Sequence, residues 1–97
     1  MIVGVAICEL HLPGSRSLKD KRRVVKSLVE RIHGRFRVSS AETDYHDLLQ
    51  RAEISLAVVG NNDQEVERVL DQMRDLFDQE AEAFVTLWQP QLLEVSG

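Results

Sequence analysis

Lysine and arginine are concentrated in one short stretch of this chain, and such a stretch suits the binding of phosphate groups. Nine of the twelve basic residues fall between Arg16 and Arg37, against only two acids, so the stretch carries a formal charge of +7. Cations that contact phosphates release condensed counterions, which favours binding of a polyanion. The predicted nucleic-acid-binding residues are Arg16, Lys19, Arg22, Arg23 and Lys26.

Acidic residues are concentrated at the other end of the chain. Beyond Asn61 there are nine acids and two arginines, and the whole chain has a formal charge of −4. The basic residues could therefore pair with acids of a neighbouring helix instead of binding a partner. The candidate partners in that case are Glu67, Asp71, Asp75 and Asp78. No aromatic residues are interleaved with the cations, so a nucleic-acid partner would be duplex or folded RNA contacted through its backbone.

Two loops hold residues that could bind an anion, one over 13–17 and the other over 60–63. Each follows a predicted strand and precedes a predicted helix, whose free N-terminal amides attract negative charge. We expect the two strands to run parallel, which would place both loops at the same end of the sheet. The predicted anion-binding residues are Ser15, Arg16, Ser17, Asn61 and Asn62. The alternative is that these residues only cap helices and form turns.

Metal and catalytic chemistry find little support in the sequence. The three histidines, His11, His33 and His46, are scattered and lack the spacing of a metal site, so neither a metal nor a cofactor is predicted. Neither a nucleophile elbow nor a phosphate-loop motif occurs, and no catalytic residue is predicted. Cys8 is the only cysteine and lies in an apolar segment, which indicates a buried thiol in a reducing compartment. We therefore expect a cytoplasmic protein.

The elements that position these residues follow from the spacing of apolar residues. Ser17, followed three residues later by Asp20, predicts a capping box at a helix start. Steps of three and four between apolar residues mark two helices, and alternation marks the strands. The predicted order is a strand over 2–12, a helix from Ser17 to about Gly34, strands over 36–43 and 52–60, a helix after Asp63, and a strand over 84–88.

This order predicts one domain over residues 1–97 with an α+β, ferredoxin-like βαββαβ sandwich. Both helices should cover one face of a four-stranded antiparallel-type sheet. The first and third strands should be its central neighbours, for which we expect a parallel arrangement. The second and fourth strands should be the edges, and Pro90 suits an edge strand because it lacks a backbone donor.

The first strand is apolar on both of its sides, although helices can cover only one. Ile2, Ala6, Cys8 and Leu10 should point to one side, and Val3, Val5 and Ile7 to the other. The uncovered side predicts a homodimer through the open sheet face. The alternative is that residues 89–95 fold across that face. No apolar run reaches the roughly 20 residues of a membrane span, so no membrane association is expected.

Several segments together resemble the bacterial YlxP-like family, and the resemblance covers almost the whole chain. Its most specific part is the run Ser-Leu-Lys-Asp-Lys-Arg. The matching segments are 1–5, 9–14, Ser15 to Arg22, 24–28, 36–39, 47–52 and 57–61. The family is small and ferredoxin-like, and its members often lie in gene clusters with a transcription elongation factor, translation initiation factor 2 and ribosome-binding factor A. The resemblance implies an association with ribosome assembly or translation, and no reaction.

Three functions are compatible with these patterns. The first is a non-enzymatic protein that associates with structured RNA or the ribosome through the basic first helix. The second is an acylphosphatase-like hydrolase, in which Arg16 would hold a phosphate and Asn61 or Asn62 would orient water. The third is a structural dimer that serves protein partners only.

Overall fold

The computed structural model describes residues 1–96 and contains two helices and four strands in the predicted order. The elements are β1 (Ile2–His11), α1 (Leu18–Arg35), β2 (Ser39–Asp44), β3 (Arg51–Gly60), α2 (Asp63–Asp78) and β4 (Phe84–Glu94). The predicted ferredoxin-like α+β fold is confirmed. In the part of the chain described, no helix is both long enough and apolar enough to cross a membrane.

The sheet has the strand order β2-β3-β1-β4, and every neighbouring pair is antiparallel. The predicted parallel arrangement of β1 and β3 is wrong: Ile2 lies opposite Gly60, and His11 lies opposite Arg51. The β2–β3 turn reverses the direction of the chain. Each helix instead carries the chain back to the end of the sheet where the preceding strand began. Each helix therefore joins parallel strands, but the two pairs interleave in the sheet so that neighbours run in opposite directions.

Each helix begins after a capping residue and carries one stripe of apolar side chains. The Ser17 hydroxyl accepts a hydrogen bond from the Asp20 amide at 3.0 Å, and the Asp20 carboxylate accepts one from the Arg16 amide at 3.1 Å. The predicted Ser17 cap is thus confirmed, whereas the Asp20 carboxylate bonds the Arg16 amide instead of the Ser17 amide that a capping box uses. The stripes of the two helices meet the sheet in one core. Their buried residues include Val24, Val25, Leu28 and Ile32 from α1, and Val66, Leu70, Met73, Leu76 and Phe77 from α2.

The two sides of β1 differ as predicted. Cys8 and Leu10 are buried beneath the helices, whereas Ile7 on the other side is 36% exposed. The alternative in which the C-terminal segment crosses this open face is wrong. Residues 89–94 instead extend β4 along β1, with Gln89 opposite Ile7 and Glu94 opposite Ile2. β4 runs six residues past its predicted end because the ten-residue β1 offers pairing partners along its whole length.

Candidate nucleic-acid interface

The basic segment of α1 does not form one continuous cationic surface, because the helix turns its members in three directions. The first direction is inward and is taken by Lys21, which is only 1% exposed. Its ammonium group donates hydrogen bonds to the carbonyl oxygens of Tyr45 at 2.7 Å, Arg51 at 3.2 Å and His46 at 3.3 Å. The Glu42 carboxylate lies 3.6 Å away and balances the charge. Lys21 is therefore unavailable to any partner.

Sequence reasoning missed this role for Lys21, although a signal for it was present. Lys21 precedes Val24, Val25 and Leu28 by three, four and seven residues, which places it on the apolar stripe of α1. A lysine on such a stripe needs hydrogen-bond acceptors within the fold. Here the turn between β2 and β3 supplies them, so α1 holds that turn against the sheet.

The second direction faces the connection between α2 and β4. The Arg23 guanidinium donates two hydrogen bonds to the Glu82 carboxylate, at 2.9 and 3.1 Å, and Arg31 pairs with Glu80. The hydrogen bonds from Arg23 lower the pKa of Glu82, and the same contacts raise the pKa of Arg23. Arg23, a predicted nucleic-acid contact, is thus held in an ion pair. Its partner follows α2 in the chain and is none of the four helix acids that the sequence suggested.

The third direction is outward, and it is taken by Lys19, Arg22 and Lys26, which we call the outer ridge. All three are exposed, as is Arg16 just before the helix. Among the ion pairs within residues 1–96, none includes Arg16, Lys19 or Arg22. Lys26 is 78% exposed and only 3.9 Å from Glu30. The members of the ridge are three and four residues apart, so they line up along about 10 Å of one side of the helix.

The outer ridge is separated from the acidic residues of α2 and of the α2–β4 connection by the body of α1. Arg23 and Arg31 mark the flank of α1 that faces the α2–β4 connection. His33 lies seven residues after Lys26 and therefore on the same side of the helix as the ridge. Its Nε2 is 2.8 Å from the hydroxyl of Ser40 in β2, on the opposite flank. The ridge is consequently directed to solvent and toward the β2 edge of the sheet.

The predicted anion site does not assemble. Because β1 and β3 are antiparallel, the loop after β1 and the loop after β3 lie at opposite ends of the sheet. A ten-residue strand separates Arg16 from Asn61 and Asn62 by about 30 Å. The acylphosphatase-like arrangement, which needs these residues around one phosphate, is therefore absent. The error follows directly from the wrong relative direction of the two strands.

Other polar groups of the two predicted anion-binding loops already have partners within the chain. The Ser15 hydroxyl donates to the carbonyl oxygen of Ser17 at 3.2 Å, and the Arg16 amide donates to Asp20. At the other end, the Asn62 side chain accepts a hydrogen bond from the Glu65 amide, and the Glu65 carboxylate accepts one from the Asn61 amide. Each helix start thus carries its own carboxylate, which offsets the positive end of the helix dipole.

A second polar cluster lies on the open face of the sheet. The Tyr45 hydroxyl donates to Glu9 at 2.8 Å and accepts a hydrogen bond from Arg51 at 2.9 Å, and the Arg51 guanidinium lies 4.0 Å from the centre of the Tyr45 ring. The hydrogen bond to Glu9 raises the pKa of Tyr45. The polar groups of these three side chains thus pair with one another. Within residues 1–96, no three His, Cys, Asp or Glu side chains are grouped in a way that could hold a metal ion.

Two comparisons with known proteins agree with this description. Residues 3–89 match the family described as "Protein of unknown function (DUF503)". The chain is also 32% identical over 77 residues to the "Uncharacterized protein YlxP" of Bacillus subtilis (strain 168), a match that covers 79% of this chain and 84% of the relative. The resemblance drawn from the sequence is confirmed, and the chain belongs to the DUF503 family.

Proposed function

We propose that this chain is a cytoplasmic, non-enzymatic protein that associates with structured RNA or the ribosome through Arg16 and the outer ridge of α1. The observation that carries the proposal is the outward direction of Lys19, Arg22 and Lys26. Lys19 and Arg22 take part in no ion pair within residues 1–96, and Lys26 has only the exposed contact with Glu30 at 3.9 Å. A further argument is the family resemblance, which implies an association with ribosome assembly or translation. The ion pair of Arg23 removes that residue from the proposed contact.

The composition of the ridge favours contacts to phosphates over contacts to bases. Lys19, Arg22 and Lys26 present charge along a helix face without an aromatic side chain on which a base could stack. These three side chains are about one helical turn apart, and this short spacing suits contacts with neighbouring phosphates of a duplex or a folded RNA. The acids of α2 lie beyond the opposite flank of α1 and repel the same polyanion. They would therefore orient the protein with the ridge toward the RNA.

The direct test measures binding of the protein to a 20-base-pair RNA hairpin by fluorescence anisotropy at 50 to 200 mM salt. With three or four phosphate contacts, affinity should fall roughly 40- to 150-fold over this range. The variant Lys19→Gln, Arg22→Gln, Lys26→Gln should bind weakly at the lowest salt. It should also reduce the slope of log affinity against log salt by about 3.

A matched control removes the same charge elsewhere. The variant Arg31→Gln, Arg68→Gln, Arg74→Gln loses three cations that lie on the other flank of α1 or on α2. It should keep most of the affinity and nearly the full salt slope of the unmodified chain. Equal losses in the two variants would mean that net charge alone governs binding. That result, or hairpin binding unchanged by loss of the ridge, would contradict the proposal.

The cellular partner can be sought by isolating the tagged full chain at low and at moderate salt. Recovery of ribosomal subunits or ribosomal RNA at low salt, and its loss at moderate salt or in the ridge variant, is the expected result. If neither ribosomal RNA nor ribosomal subunits are recovered at either salt concentration, the proposal fails.

A further inference from the structure

The sheet face opposite the helices has an apolar centre that no segment within residues 1–96 covers. Ile7 in β1 is 36% exposed and Val59 in β3 is 63% exposed, although both lie on the two central strands. Neighbouring positions on this face are also apolar. The apolar centre consists of Val3, Val5, Ile7, Ala57, Val59 and Leu93. The C-terminal residues cannot cover it, because they form the edge strand β4.

Most charged side chains of this face lie at the end around Glu9, and Arg37 borders Val59 at the opposite end. Glu9 interacts with Tyr45 and Arg51, and Glu53 accepts a hydrogen bond from Thr43 at 2.6 Å. None of the six residues of the apolar centre is charged, and Arg37 lies before β2 at the rim, where its guanidinium can stay in water, so the apolar centre can be buried without stranding a charge. The grouped polar side chains would then form part of a rim, as in known protein interfaces.

The size of the face meets the needs of a specific interface. Strands of 10, 6, 10 and 11 residues present about 600 Å² of sheet on each copy, using strand spacings of roughly 4.8 Å and a rise of roughly 3.3 Å. Two copies packed face to face would bury about 1,200 Å², the lower bound for stable protein–protein interfaces.

The surface also contains a depression that suits a protruding side chain. It has a volume of about 430 Å³ and is bordered by Ile7. The side chains on its other sides are small. They belong to Ser39, Ala41, Ser55 and Ala57. Small residues next to a protruding isoleucine allow two identical surfaces to interlock.

We propose that the occupant of this face is a second copy of the chain, packed sheet to sheet about a two-fold axis parallel to the central strands. Such an axis places β1 of each copy over β3 of the other, so Ile7 of one copy meets Ser55 and Ala57 of the second copy. An axis across the strands at the middle of the sheet would instead set the apolar centre against the charged end around Glu9. The outer ridge lies on the helix side and stays exposed in both copies.

Sedimentation velocity of the full chain at 50 µM and in 1 M NaCl tests this proposal. The expected mass is about 22 kDa, twice the 11.1 kDa of one chain. It should persist at high salt because the contact is apolar. Ile7→Asp should reduce the mass to that of one chain. Ser27→Asp, which adds the same charge on the helix side, should leave the dimer intact.

Val59→Asp provides a second variant should Ile7→Asp fail to fold, since Val59 is the more exposed residue. Circular dichroism establishes that each variant is folded. The proposal is overturned if the unmodified chain sediments at about 11 kDa at 50 µM. It is also overturned if folded Val59→Asp and Ile7→Asp both remain dimeric. These outcomes are independent of the RNA proposal, because the ridge variant should lose RNA binding but keep its mass.

Discussion

The ammonium nitrogen of Lys21 lies 2.7 Å from the carbonyl oxygen of Tyr45, the only residue other than glycine with a positive φ, 62°, within residues 1–96. A tyrosine in this left-handed conformation is uncommon and needs support from its surroundings. Lys21 gives that support from α1, and it also bonds the carbonyl oxygens on both sides of the turn. The β2–β3 turn therefore depends on a helix that is distant in the sequence.

Replacing Lys21 with methionine tests this dependence. The substitution keeps the apolar stem but leaves three inward-facing carbonyl groups without their donor and the Glu42 carboxylate without its counterion. We expect the free energy of unfolding to fall by about 3 kcal/mol. Urea denaturation followed by circular dichroism measures the change. Lys19→Met on the exposed side of the same helix should change stability by less than about 0.5 kcal/mol. Equal effects of both substitutions would refute the structural role of Lys21.

The Ser17 cap at the start of α1 gives a second prediction. Ser17→Ala removes the acceptor of the Asp20 amide and should lower the free energy of unfolding by about 1 kcal/mol. The matched control is Ser27→Ala, the same change at an exposed position inside the helix. That substitution should be neutral or slightly stabilising because alanine has the higher helix propensity. A Ser17→Ala variant as stable as the Ser27→Ala variant would be the contrary result.

Two glycines provide a contrast in packing. A Cβ atom on Gly4 would overlap Val66 of α2, so Gly4→Ala should force the helix away from the sheet. We expect a loss of about 1–3 kcal/mol in stability, as for other overpacked cores. A Cβ atom on Gly34 would meet nothing within 4 Å. Since Gly34 lies inside α1, Gly34→Ala should stabilise the fold by about 0.5–1 kcal/mol. In thermal unfolding, Gly4→Ala should have a lower melting temperature than the unmodified chain, and Gly34→Ala should have a higher one.

The thiol of Cys8 gives a prediction about pH. Burial raises the pKa of Cys8 to about 12, from 9.0 for an exposed thiol. The folded state therefore favours the neutral thiol, and this contribution to stability is complete below pH 9 and is lost as pH rises toward 12. The free energy of unfolding should decrease between pH 9 and 11 more steeply in the unmodified chain than in Cys8→Ala. Parallel pH profiles for the two proteins would contradict the assignment.

The same thiol should be chemically inert in the folded protein. A disulfide reagent at pH 8 should modify Cys8 only after unfolding, because the thiolate is the reactive species and the residue is 0% exposed. Cys8→Ala carrying Ser27→Cys serves as the positive control and should react within the mixing time of the assay. Rapid modification of Cys8 in the native state would show that the strand opens.

Local patterns in the sequence were sufficient for the elements and for the two sides of β1. Ser17 and Asp20 predict the helix start, and the alternation of Cys8 with Ile7 predicts that these two side chains point to opposite sides of β1. Such features depend on neighbours along the chain. The relative direction of β1 and β3 depends instead on how two βαβ halves interleave, and the sequence alone led to the wrong answer.

The candidate site was predicted only in part for a related reason. The sequence identifies a helix rich in cations, and its periodicity separates inward from outward positions. Lys21 is one of the nine cations of the basic stretch but is not a predicted binding residue, and its inward role depends on acceptors in the distant β2–β3 turn. The sequence alone predicts that Arg23 binds RNA, because nothing in it reveals the pairing with Glu82. That residue is 59 positions away and lies outside both helices. Pairings over such distances require the tertiary structure.

The position of Trp88 has a practical consequence for all of these experiments. It is the only tryptophan, lies opposite Cys8 on the helix side of β4, and packs against Phe77 of α2 with ring centroids 6.3 Å apart. Neither the outer ridge nor the apolar centre includes it. Its intrinsic fluorescence should therefore report whether α2 is seated on the sheet, and stay silent when a ligand or a second copy binds elsewhere.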